Sequence, residues 1–136
     1  MWLLREALPT FNQNPEGGVF LITSSVAGTS LSGSSMAYSV TKSAQLHLMR
    51  CLANTQGSKV RINAVLPGLL LTEWGLKYPK EAIAQIKEQS ALKHETYLDD
   101  CANMYTSLAE NTSMTGQRIA VGKLAASISP PSMRRS

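Results

Sequence analysis

The chain has 136 residues, 43% hydrophobic and 16% charged, a globular composition with enough apolar residues to bury a core. Thirteen Lys and Arg against nine Asp and Glu give a net charge of +4, but the bases are scattered and Arg134-Arg135 is only a short run, which argues against nucleic-acid binding. With no transmembrane stretch, no internal repeat and two cysteines fifty residues apart, the composition suits a soluble cytoplasmic protein in which Cys51 and Cys101 are reduced and inert, rather than a disulfide or zinc scaffold.

From the N-terminus, Met1 to Leu8 is apolar but lacks the basic leader and small-residue cleavage site of a secretory signal, and it reads as the end of a helix stopped by Pro9. Residues Asn12 to Gly18 are a turn-rich connection. The apolar run Val19, Phe20, Leu21, Ile22 predicts a buried parallel strand, and the small polar residues after it put Ser24 and Ser25 where that strand ends and a loop begins. Open α/β sheets keep their chemistry at that position.

A helix is predicted over about Ala37 to Gln56, with Val40, Ala44, Leu48 and Leu52 as its buried stripe and Gly57 as its stop. Tyr38 and Lys42, four residues apart, project from one face of its first turns. His47 reads as a solvated or packed side chain, and no metal site is expected. After Thr72 comes a loop in which Trp74, Leu76 and Tyr78 could line an apolar site, then an amphipathic segment of about Lys80 to Leu92. Tyr97 to Ala109 reads as another helix, with Asp99 and Asp100 suited to its first turn. Asn111-Thr112-Ser113 fits a glycosylation sequon by chance, and the Ser/Pro-rich tail, residues 122–136, is expected to be disordered.

A hydroxyl, a phenol and an ammonium at these spacings suit proton transfer coupled to hydride transfer at a carbonyl. A free phenol has a pKa of about 10, and an ammonium one helical turn away favours the phenolate, so Tyr38 can act as general acid or base. Ser25 would hold the substrate oxygen beside that phenol and stabilise charge developing on it.

Ser25 followed by Val26-Ala27-Gly28, Tyr38 thirteen residues further on, and Tyr38-x-x-x-Lys42 together resemble the short-chain dehydrogenase/reductase family. Alone, the Tyr-x-x-x-Lys pattern is too common to carry weight. Two further blocks support it. Val60 to Thr72 is similar to the family's strand that ends in Pro-Gly (here Pro67-Gly68) and supplies a Thr to the nicotinamide end of the cofactor, and Met114 to Val121 is similar to its last strand. The resemblance implies an α/β fold, the C-terminal part of a Rossmann-like doubly wound parallel sheet. About three strands, near residues 18–24, 59–66 and 117–121, would carry flanking helices within a partial domain over residues 1–121.

The resemblance further implies catalysis by Ser25, Tyr38 and Lys42. NAD or NADP would bind through Tyr38, Lys42, Pro67, Gly68, Leu70 and Thr72, and a small-molecule carbonyl or alcohol through Ser25, Tyr38 and Trp74. The loop after Thr72 corresponds to a mobile lid, and homo-oligomers are common in the family. The family's N-terminal dinucleotide-binding half is expected to be missing, since no Gly-x-x-x-Gly-x-Gly occurs in these residues. The first strand would then lose its neighbour, and an uncovered hydrophobic edge invites another chain. Two functions fit: an NAD(P)-dependent oxidoreductase, or a truncated non-catalytic remnant that docks through the exposed strand edge.

Overall fold

The computed structural model describes residues 2–30 and 34–122, so the tail expected to be disordered lies, beyond Gly122, outside the described residues. The protein is α/β. Strands β1 (Gly18–Thr23), β2 (Val60–Pro67) and β3 (Arg118–Val121) form a parallel sheet in that order. Helices α1 (Trp2–Gln13) and α2 (Met36–Gln56) cover one face, α4 (Leu98–Glu110) covers the other, and α3 (Lys80–Gln89) lies in the connection between β2 and α4.

The two-residue period of the strands divides the core. Val60, Ile62, Ala64 and Leu66 of β2 join Phe20 and Ile22 of β1 against Leu4, Leu46, Met49 and Ala53. On the opposite face Val65 and Leu21 pack with Cys101, Met104 and Leu108 of α4. Central strand β2 is buried almost throughout, and its polar Asn63 is kept there by two bonds: Nδ2 donates to Met114 O at 2.8 Å and Oδ1 accepts from Gln117 N at 2.9 Å. Arg61 reaches from the same strand to the C-terminal carbonyls of α4, Leu108 O at 3.0 Å and Ala109 O at 2.8 Å, where a cation complements the helix dipole.

Three sequence expectations are corrected. The run Val19, Phe20, Leu21, Ile22, expected to be buried, is half-buried, because β1 is paired on one side among the described residues. Pro9 does not stop the first helix, which continues to Gln13. Pro9 and Arg5 are both on the exposed side, so the carbonyl that loses its partner can turn to water and the helix survives. The buried stripe of α2 is Leu46, Met49 and Ala53, not Val40, Ala44, Leu48 and Leu52. Val40 is 63% exposed and Ala44 is exposed, while Leu48 and Leu52 are half-buried. A strict four-residue repeat drifts around a helix of 3.6 residues per turn, so its N-terminal members leave the face that meets the sheet.

Candidate active site

The residues singled out in the sequence lie at the C-terminal ends of β1 and β2 and on the first turns of α2. At the end of β1 the chain enters a single 3₁₀ turn, Val26–Gly28, capped by Ser25, whose Oγ accepts from Ala27 N at 3.2 Å. Ser24 acts as the strand-end hydrogen bonder: its N–H continues the ladder to Val65 O at 2.8 Å, and its Oγ donates to Lys42 O at 3.2 Å. Ser35 caps α2, accepting from Tyr38 N at 3.1 Å, and so fixes where that helix begins. Tyr38 and Lys42 follow on consecutive turns, with Nζ 5.7 Å from the centre of the Tyr38 ring. Nζ also donates to Thr23 O at 3.1 Å.

Gly28 makes this proximity possible. A Cβ there would lie 2.9 Å from Lys42 C, 3.0 Å from Lys42 O and 3.1 Å from Ser43 N, so the loop touches the α2 backbone at the turn that carries the lysine. The Val-Ala-Gly pattern flagged this glycine without giving its reason.

At the end of β2, Pro67 is buried and Gly68 donates to Val121 O at 3.0 Å, tying the loop to β3. Leu70 packs against the α4-side core, and Thr72 Oγ1 accepts from Gly75 N at 3.4 Å at the start of the Gly75–Lys77 turn. Trp74, two residues beyond Thr72, is 58% exposed with its ring centre 6.5 Å from that of Tyr38, and Tyr78 meets it edge-on at 5.8 Å. Leu76 is also exposed. The fold thus unites Tyr38 and Lys42 from one helix with the end of β1 and with Trp74 from the loop after β2. A groove of about 550 Å³ lies beside α2, lined by Gly28, Thr29, Ser35, Met36, Ser39 and Val40 among others, and includes none of Ser25, Tyr38 and Lys42.

The site's support includes residues that no sequence pattern marked. Thr23 Oγ1 and the Tyr105 hydroxyl share a 2.6 Å hydrogen bond between residues 82 apart in the chain. Burial pushes the Tyr105 phenol above its ordinary pKa, more than the bond to Thr23 lowers it. Cys101, its neighbour one turn earlier, is likewise raised by burial, while Cys51 is exposed, and both thiols are free. Among the described residues, no group of three or more His, Cys, Asp or Glu could hold a metal ion, and no helix is long and apolar enough to cross a membrane.

This architecture has close counterparts. The profile of the family described as Enoyl-(Acyl carrier protein) reductase matches residues 1–123. The short-chain dehydrogenase/reductase homolog YusR of Bacillus subtilis (strain 168) is 31% identical over 121 residues, 89% of this chain and 93% of that protein. Dehydrogenase/reductase SDR family member 4 of Homo sapiens is 31% identical over 125 residues, 88% of this chain but 45% of its own length. A solved 7α-hydroxysteroid dehydrogenase, complexed with NADH and 7-oxo glycochenodeoxycholic acid, superposes with a TM-score of 0.82 at 26% identity, over 91% of this chain and 50% of that one. The chain belongs to the short-chain dehydrogenase/reductase family, a family of oxidoreductases. It spans nearly all of YusR and 45–49% of the other curated relatives it matches.

Proposed function

We propose that the chain supplies the substrate and nicotinamide half of an NAD(P)-dependent oxidoreductase acting on a small carbonyl or alcohol. One observation carries this reading: Tyr38 and Lys42 stand on consecutive turns at the C-terminal end of β1, with the ammonium 5.7 Å from the phenol ring. Tyr38 gives its phenolic proton to the substrate oxygen in reduction and takes it back in oxidation. Lys42, its ammonium beside the Tyr38 ring, offers N–H donors to a cofactor ribose. Ser25 Oγ turns from its cap on Ala27 to hold the substrate oxygen.

The donor set fits the nicotinamide end of NAD or NADP: an ammonium beside a phenol at the strand ends, with the Pro67-Gly68 loop, Leu70 and Thr72 on the neighbouring strand's exit. When bound, that cofactor supplies or accepts the hydride. Trp74, exposed beside Tyr38 and propped by Tyr78, offers an apolar wall to a bulky or aromatic substrate. Two free thiols suit the reducing cytoplasm. Exposed Met36 and Val40 on α2 offer an apolar face to a second copy.

The test is a titration of the purified chain with NADPH and NADH, following nicotinamide fluorescence, with Lys42→Ala as control. Saturable binding that the control loses supports the reading. No binding up to millimolar cofactor by a folded protein leaves the second reading, a module that docks through β1. The observation favouring that alternative is the position of β1 at the edge of the sheet, with one side unpaired among the described residues.

A further inference from the structure

Lys42 is the one group in the candidate site whose placement depends on a flexible four-carbon stem, so whatever holds its ammonium decides whether it faces Tyr38. Its partner is the main-chain carbonyl of Thr23, at 3.1 Å. The direction of that carbonyl follows from the ladder. Gly18 N donates to Lys59 O and Ser24 N to Val65 O, so the even-numbered residues of β1 face β2. Alternate residues of a strand direct their N–H and C=O to opposite sides, so the Thr23 carbonyl faces away from β2, where the sheet provides no partner among the described residues. The ammonium fills that place.

The side chain of the same residue is fixed from the other face of the sheet. Thr23 Oγ1 is 2.6 Å from the hydroxyl of Tyr105 on α4. Tyr105 is half-buried against the α4-side core, and its phenol, raised by that burial, remains protonated at neutral pH. One residue at the exit of β1 therefore joins a tyrosine on α4 to the ammonium on α2. One of the ammonium's three hydrogens is committed to the carbonyl, which orients the other two.

We infer that Thr23 is a positioning residue for Lys42, with Tyr105 fixing Thr23 from the opposite side of the sheet. Its catalytic meaning rests on the functional reading above, but its geometry can be tested without cofactor.

The experiment is trace acetylation of the intact purified chain with acetic anhydride, reading Lys42 modification against Lys59 in the same molecules by mass spectrometry. Lys59 is a fair reference because its Nζ holds a main-chain carbonyl too, Asn14 O at 3.3 Å, far from α4 in sequence. Tyr105→Phe, which keeps the ring, should raise the Lys42-to-Lys59 ratio about threefold, in line with the loss of one hydrogen bond. Thr23→Val removes the same bond from its other end and should match it, deciding the matter alone if Tyr105→Phe does not fold. Thr23→Ser, which retains the hydroxyl, should keep the parent ratio.

An unchanged ratio in Thr23→Val overturns the inference. So does a parallel rise of both lysines, which would mean general loosening, and so does a Thr23→Ser that behaves like Thr23→Val. Failure of the nicotinamide titration would leave the acetylation result intact, so the two readings fail separately.

Discussion

Strands β1 and β2 lie side by side in one sheet, yet they are different kinds of element. β2 is paired on both sides and buried almost throughout; among the described residues β1 is paired on one side, and it is half-buried along most of its length. The central strand sets the register of the sheet and anchors α4 through Arg61. The open one ends in Thr23, Ser24 and Ser25 and holds Lys42. The candidate chemistry therefore hangs on the less covered strand, and its geometry needs ties from outside the sheet.

Matched truncations on the two strands test this contrast with the largest expected effect. Ile62 and Ile22 share one core, but Ile62 is fully buried and Ile22 half-buried. Ile62→Ala should cost about 4 kcal/mol and Ile22→Ala about 2 kcal/mol, read from urea midpoints on the purified chain. Equal costs would break the comparison, because they would mean that something covers the open side of β1 in solution.

A glycine at the seam comes next. In Gly28→Ala the new methyl would press on the α2 backbone at Lys42 and Ser43, where rigid main chain has little room to give. The expected loss is about 1–2 kcal/mol. Because Trp74 sits against Tyr38 near the start of that helix, its emission in a Trp2→Phe background should shift as α2 moves. Parent stability with parent emission would show that the loop yields instead, and that Gly28 does not set the position of Lys42.

How much of this was legible in the sequence varies with distance along the chain. The first strand was visible because a parallel strand leaves an apolar run, the second and third through their likeness to blocks of the family, and α2 because its apolar residues recur with a helical period. Tyr38 and Lys42 could be paired from spacing alone, since four residues bring side chains onto one face. The orientation of α2 was not legible. It is set by Gly28 and Ser24 touching the helix at Lys42, and these contacts turn Leu46 and Met49 toward the sheet while leaving Val40 outside. Pro9 misled for a related reason, because a proline on a solvated helix face costs one hydrogen bond without ending the helix. The bond from Thr23 to Tyr105 has no local signature, and only the packing of α4 across the sheet brings the two together.

The smallest expected effect is alkaline and sharpens the comparison from the α4 side. Tyr105 braces the open end of β1, and Cys101 packs under Val65 of β2. Burial raises both groups in the folded state, Cys101 above the ordinary thiol value of 9.0 and Tyr105 above the ordinary phenol value of 10.0. In each case the unfolded chain releases its proton first, so the contribution to stability is fully present below those ordinary values and is lost as pH rises through them toward the folded values. Urea midpoints taken from pH 8 upward should therefore fall. Cys101→Ala should remove the part that begins near the thiol's ordinary value, and Tyr105→Phe the part that begins near the phenol's. If Tyr105→Phe left the alkaline limb unchanged while Cys101→Ala flattened it, the proton on Tyr105 would be no better held in the folded chain than in the unfolded one. The brace at the end of β1 would then be too open to water to steady the strand.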